Sequence, residues 1–273
     1  MKENKNVCTS TEEAMTNLNE CKSEIRAILK TVDDFQGARI RLDNRLKRKA
    51  DGTSQKDAKT NAPKVTKDSI IDTKALSKSV LSIEDDLTKQ LEARVKQTPE
   101  WKLYFKDIKG IGPKMASILI SEIDPYKAET VSKIWQYAGL NGSKVFGKKK
   151  NKDGSITVTT DLVRGDRPTA GYILPYNCYL KMCVVGKMAT QLMMAKNPKY
   201  MAIYEGAKNF YSTNPKWKDE SALHIHRASV RKMMKQFLAD YYAFVRPYYG
   251  LETRVPYAEE KMGIVHHFAN GKN

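Results

Sequence analysis

Two runs of apolar residues restrict this chain more than any other feature. Leu18, Cys21, Ile25, Ile28, Val32, Phe35 and Leu42 recur at spacings of three, four or seven residues, and Leu76, Val80, Ile83, Leu87, Leu91 and Val95 recur every three or four. Spacing of that kind is the a/d stripe of a coiled coil, and a stripe so narrow must be buried against another helix. Ser10 and Glu13 form a capping-box pattern ahead of the first stripe. Gly37 weakens that helix, and Asp51-Gly52 is expected to stop it. The polar stretch 52–67, with Pro63, predicts a loop. Residues 1–97 are therefore expected to form a helical hairpin. The two stripes either close on each other or pair with a second copy, making a homo-oligomer through the coiled coil.

A different pattern begins at Thr98-Pro99, a cap followed by proline at the first helical position. A short helix carrying Trp101, Tyr104 and Phe105 leads to Ile108-Lys109-Gly110-Ile111-Gly112-Pro113. A second helix then presents Met115, Ala116, Leu119, Ile120 and Ile123 on one face. This resembles the helix-hairpin-helix motif. Gly110 and Gly112 can adopt positive φ at little cost, and without side chains they let backbone N–H groups approach a phosphate oxygen. Ile111 is expected to point inward and pin the turn. The helix starting at Pro113 directs its positive end at the same phosphate, and Lys109 and Lys114 add charge. Such contacts read the nucleic-acid backbone, not the bases. Asp124 follows the second helix directly and looks like a cap of the next one, not the catalytic Asp of a glycosylase.

Downstream, 124–140 predicts a capped helix ended by Gly139, and Ser155–Thr160 is the best strand in the chain. With 143–147 it predicts a β-hairpin whose tip carries Lys148, Lys149, Lys150 and Lys152, a basic finger suited to a groove. Arg164 and Arg167 flank Gly165-Asp166; each could clamp a phosphate or pair with a carboxylate inside the fold. A methionine-rich apolar helix over 177–195, another over 198–211, and a long final helix follow. Arg227, Arg231 and Lys235, four residues apart, form one basic stripe on the last. The four histidines fall as His224/His226 and His266/His267 without cysteine or carboxylate ligands at familiar spacing, so no metal site is expected.

Charge points the same way. The chain carries a formal net charge of +17, and residues 1–98 hold only 20 basic against 16 acidic side chains. The remaining 28 basic against 15 acidic lie in 99–273, so a polyanion is expected to meet the second part. Cys8, Cys21, Cys178 and Cys183 include no CxxC pair, which suits a reducing cytoplasm and no disulfide framework. Met182–Ala195 is too short to span a bilayer and contains Lys187, and the first residues lack a signal-like apolar core. No membrane partner is expected.

From Trp101 to about Arg246 the succession of features resembles the C-terminal domain of DEDD insertion-sequence transposases, the IS-one-ten group. The resemblance rests on the hairpin with Ala116, Leu119 and Glu122-Ile123, the Ala138-Gly139-Leu140 step, the basic segment, the apolar helix, Asn197-Pro198-Lys199-Tyr200, and the basic-apolar helix from Arg227 to Arg246. It implies DNA recombination through a covalent serine–DNA link, with oligomers held by the coiled coil. In that family a RuvC-like domain with four metal-binding acidic residues precedes the coiled coil. Only about ten residues precede it here, so that half is expected to be missing. Ser143 lies near the family's nucleophile position but lacks a following glycine, and no activating base is evident beside it.

The expected fold is therefore mainly α, with an N-terminal coiled-coil hairpin followed, over 98–273, by a helical domain holding a helix-hairpin-helix motif and a small β-hairpin. The expected function is backbone-directed DNA binding of the transposition or recombination type, non-catalytic or partner-dependent, in a bacterial or phage-infected cytoplasm. The ligand is duplex or branched DNA, with RNA as a second candidate. No cofactor is expected, with Mg²⁺ needed only if a recombinase activity exists. The competing readings are an active serine-dependent recombinase or nuclease acting through Ser143, and a protein-interaction scaffold.

Overall fold

A computed structural model describes residues 11–50 and 72–254. The Ser10 cap, the loop 52–67 and His266/His267 lie outside the described residues. The chain divides into two compact units, residues 1–97 and 98–273.

The first unit contains two helices, α1 (Thr11–Ala50) and α2 (Thr73–Gln97). They run antiparallel, as their cross-pairs require: Arg94 meets Glu24 at 2.6 Å, Arg39 meets Glu84 at 2.6 Å, and the Ser77 hydroxyl donates to Asp43 at 2.6 Å. Leu18, Ile25, Leu29, Val32, Leu91 and Val95 are buried in the seam. The stripe expected on α2 is only partly the buried one. Leu76 and Ile83 stay exposed, while Ser77 and Glu84, one position further on, are buried. The shift is possible because α1 supplies Asp43 and Arg39 as partners, so these polar groups enter the seam without losing hydrogen bonds. The hydrogen bond that Arg39 donates to Glu84 raises the Arg39 pKa above its usual value, against burial, which lowers it.

The second unit is built around one long helix. Its elements are α3 (Pro99–Leu103), α4 (Pro113–Glu122), α5 (Val131–Tyr137), β1 (Lys144–Lys150), β2 (Ile156–Arg164), α6 (Cys178–Lys181), α7 (Ala189–Met194), α8 (Pro198–Thr213) and α9 (Ala222–Tyr248). A π-type stretch, Met182–Met188, joins α6 to α7 and makes them one continuous helical run. Side-chain caps start most of these helices, as their sequences demand: Thr98, Thr130, Asn177, Asn197 and Ser221 each accept a backbone N–H from the first turn. On α9, Val230, Met233, Met234, Phe237, Leu238, Tyr241, Tyr242 and Val245 are buried, a spacing of three and four that forms the centre of the core. α5, α7, α8 and the π-type stretch pack against α9, and α4 packs against α6 and the π-type stretch.

Two expectations are corrected here. The helix over 124–140 begins only at Val131. Asp124 instead holds a turn, its carboxylate accepting the Tyr126 N–H at 3.0 Å. The lysines of the β-hairpin also sit differently. Lys148, Lys149 and Lys150 belong to β1 itself, and only Lys152 lies in the turn. Among the described residues, no helix is long and apolar enough to cross a membrane.

Candidate nucleic-acid interface

Three surfaces of the second unit hold the residues singled out from sequence. The first is the glycine corner between α3 and α4. The Ile111 N–H donates to the Ile108 carbonyl at 3.0 Å, and Ile111 is buried as the anchor of the turn. The two glycines, expected to act alike, differ. Gly110 has φ +98°, and a Cβ placed there would lie 2.9 Å from both the Ala195 Cβ and the Gln191 carbonyl oxygen. The neighbouring Lys109 carbonyl accepts from Asn197 Nδ2 at 2.9 Å. Gly110 thus lets the corner pack on the end of α7. Gly112 has an ordinary φ of −82° and caps α4, and a Cβ there would meet nothing within 4 Å. Only the Gly112 side of the corner is open. Lys109 is exposed, and Lys114 is half-buried in the first turn of α4.

The second surface is the ribbon β1–β2. Its register pairs Lys144 with Arg164, Phe146 with Leu162, Lys148 with Val158 and Lys150 with Ile156. Side chains alternate between faces on either side of an irregularity between Phe146 and Lys148, where the register shifts. Gly147 lies under the Tyr172 ring, Lys149 sits 4.6 Å from that ring's centre, and the Tyr172 hydroxyl donates to Asp161 at 2.5 Å, so one face is covered. The other presents Lys144, Lys148 and Lys150 among Phe146, Ile156, Val158 and Leu162, which are 55 to 62% exposed. Four large apolar side chains thus stand in the open between lysines on this ribbon.

The third surface is a cleft of ≈ 940 Å³ whose floor is one face of α9. Arg227, Arg231 and Lys235 lie along it, as their spacing predicts, joined by Lys232, by Arg167 from the turn after β2, and by Arg254. Asp240 is the one carboxylate among the described residues that line it. Its charge is already engaged by Lys199 at 2.7 Å, the Tyr200 hydroxyl at 2.9 Å and Gln236 at 3.0 Å. Arg227 and Lys235 have no carboxylate partner among the described residues. Burial, with Arg231 and Lys232 close by, pushes the Lys235 pKa below its usual value. Crowding of like charge of this kind is relieved by an anion.

Behind the cleft, a buried carboxylate sets the arginines. Asp166 accepts from Arg164 at 2.9 and 3.0 Å and from Arg231 at 3.2 Å, and its main-chain carbonyl accepts from Lys181 Nζ. Burial opposes its charge, but these arginines and Arg167 win, and its pKa is lowered. Arg164, itself exposed, therefore commits its fork to the buried Asp166, whereas Arg167 lies exposed at the cleft wall.

The remaining candidates are placed as follows. Ser143 is exposed between α5 and β1. Its N–H donates to Asn141 Oδ1 at 3.1 Å, and no base stands in hydrogen-bond reach of its hydroxyl among the described residues. His224 pairs with Glu220 at 3.2 Å, and His226 Nδ1 with the Tyr204 hydroxyl at 2.8 Å. Among the described residues, no His, Cys, Asp and Glu side chains gather to hold a metal.

Sequence reasoning missed the rings of the cleft. Trp135 on α5 donates its indole N–H to the Lys235 carbonyl at 2.9 Å, with the Lys235 ammonium 5.0 Å from the indole centre. Tyr211 and Trp217 also line the cleft, with Trp217 5.5 Å from the His224 ring. No local pattern joins Trp135 to a lysine one hundred residues away. Comparison with known proteins returns no similarity: no family model, no curated protein and no solved structure matches the chain.

Proposed function

We propose that the second unit binds DNA through its sugar-phosphate backbone, and that the protein serves in DNA transposition or recombination as a non-catalytic or partner-dependent member of a cytoplasmic assembly. The observation that carries the binding is the cleft: among the described residues, six cationic side chains line it with one carboxylate, Asp240, which Lys199 already pairs. The exposed lysine face of the ribbon and the open Gly112 side of the corner support it. The recombination setting rests on the motif succession from Trp101 to Arg246 alone. Filter binding across a salt series tests the reading. The logarithm of affinity should fall linearly with the logarithm of salt, by about 0.9 for each phosphate neutralised. A flat salt response would favour a protein-interaction scaffold. Nicking of supercoiled DNA that disappears in Ser143→Ala would replace the non-catalytic reading by a serine recombinase.

The first unit supplies self-association in this reading. Leu76 and Ile83, seven residues apart, remain exposed on α2, and half-buried Phe35 and Leu42 run at the same level on α1. Heptad geometry puts both lines on one flank of the hairpin. A second copy of the hairpin is the matching occupant, since two such flanks close a four-helix core. Light scattering gives the mass, and Leu76→Glu with Ile83→Glu should return a dimer to monomer.

A further inference from the structure

The cleft holds more than phosphate contacts require. A surface that only tracks a duplex backbone needs cations on an open face, as the ribbon has. This one is a cleft of ≈ 940 Å³, near the top of the range of small-molecule sites, a volume that suits a nucleotide or two. Its walls include two indoles, Trp135 and Trp217. Trp217 is fixed in a chain of rings: its centre is 4.4 Å from Tyr211 at an interplanar angle of 38°, and 5.5 Å from His224 at 70°. The turn that carries it, Pro215–Trp217, is capped by Asn214, whose side chain accepts the Lys216 N–H at 3.0 Å. Trp135 is held by its bond to the Lys235 carbonyl. The rings are thus positioned before any ligand arrives, and the cations stand among them.

Resting on the nucleic-acid reading above, we propose that this cleft seats an unpaired stretch of strand, with a base stacked in the Trp217–Tyr211 wall and its phosphates met by Arg227, Arg231 and Lys235. Rings supply a surface that any base can use, so recognition is sequence-tolerant but demands a base free of its partner. The ribbon and the Gly112 corner can meet paired regions, whose bases are out of reach of this cavity. Together they suit a branched or melted substrate, in which paired and unpaired segments adjoin.

The test compares a twelve-residue oligothymidylate with an abasic oligonucleotide of equal length, using tryptophan fluorescence and affinity on the full chain. A free thymidine monophosphate arm separates a strand site from a mononucleotide site. Stacking predicts that the thymidylate binds about tenfold tighter than the abasic strand and quenches tryptophan emission, while the monophosphate fails to compete. Trp217→Ala should bring the affinity ratio close to one, and Trp217→Phe should restore most of it. Circular dichroism confirms that each variant is folded. If Trp217→Ala fails to fold, the wild-type ratio and Trp217→Phe still decide. Equal binding of the two strands would overturn the base platform while leaving backbone binding intact. Competition by the monophosphate would overturn the strand and leave a nucleotide pocket. Binding of neither strand would remove both readings together.

Discussion

The glycine corner and the α9 cleft are two ways of meeting a phosphate, and they are built in opposite manners. The corner is local: its parts lie within six consecutive residues, Ile108 to Pro113, and its shape follows from two glycines and a proline. The cleft is assembled from positions as far apart as Val131 and Arg254. The corner offers few donors, since Gly110 is committed to packing on α7. The cleft offers six cations, of which Arg231 is held by Asp166 and Arg254 lies 3.9 Å from Glu252. A motif written compactly in sequence is thus the smaller part of the candidate surface, and dispersed residues form the larger one.

The largest effect should come from treating the two glycines separately. Gly110→Val forces a branched side chain into the left-handed region and onto Ala195 and the Gln191 carbonyl, which should cost about 2–5 kcal/mol of stability. Gly112→Ala meets open space at an ordinary φ and should cost less than about 1 kcal/mol. Chemical denaturation of the pair checks this, and equal losses would erase the distinction between packed and open glycines.

Asp166→Ala should come next, at about 2–3 kcal/mol, because it removes hydrogen bonds from two arginines that remain partly exposed to water. The wild-type contribution is present above the ordinary aspartate pKa and is lost as pH falls through the lowered folded value. Urea titrations from pH 7 down to pH 3 should therefore show wild type and variant converging.

Arg227→Ala with Lys235→Ala should leave stability within about 1 kcal/mol and flatten the salt slope by about 1.8. The same measurement on Lys148→Ala with Lys150→Ala weighs the ribbon against the cleft. The smallest effect concerns pH. Lys235 is surrounded by Arg231 and Lys232 on α9, Trp135 on α5 and, more distantly, Asp166, and its pKa is lowered, so it sheds its proton before an ordinary lysine. DNA affinity should fall as pH rises through that lowered value, and Lys235→Arg should carry the affinity unchanged to higher pH.

Much of the fold was legible from spacing and caps. Ile25, Val32, Leu91 and Val95 are buried as their stripes demand, and the cap at Thr98 marks a helix start. The α2 seam was less legible. Periodicity counts apolar residues, and it cannot register Ser77 and Glu84 as interior when their partners stand on another helix. Residues 124–130 form a turn because Asp124 bonds to its own backbone nearby, a local competitor to helix that apolar spacing does not reveal. Of the site, the α9 stripe was readable from its four-residue repeat. The rings were not, because Trp135, Tyr211 and Trp217 become neighbours of those cations only through the packing of α5 and α8 around the long helix.

The ion pair and hydroxyl bond inside the α1–α2 seam have a further effect. Helices joined by aliphatic side chains alone can slide by a heptad and recover nearly the same burial. Here a slide would tear Glu84 from Arg39 and Asp43 from Ser77, leaving the buried Glu84 carboxylate without its guanidinium. The hairpin is therefore keyed to one alignment, and whatever is mounted on its outer flank is presented at a fixed height.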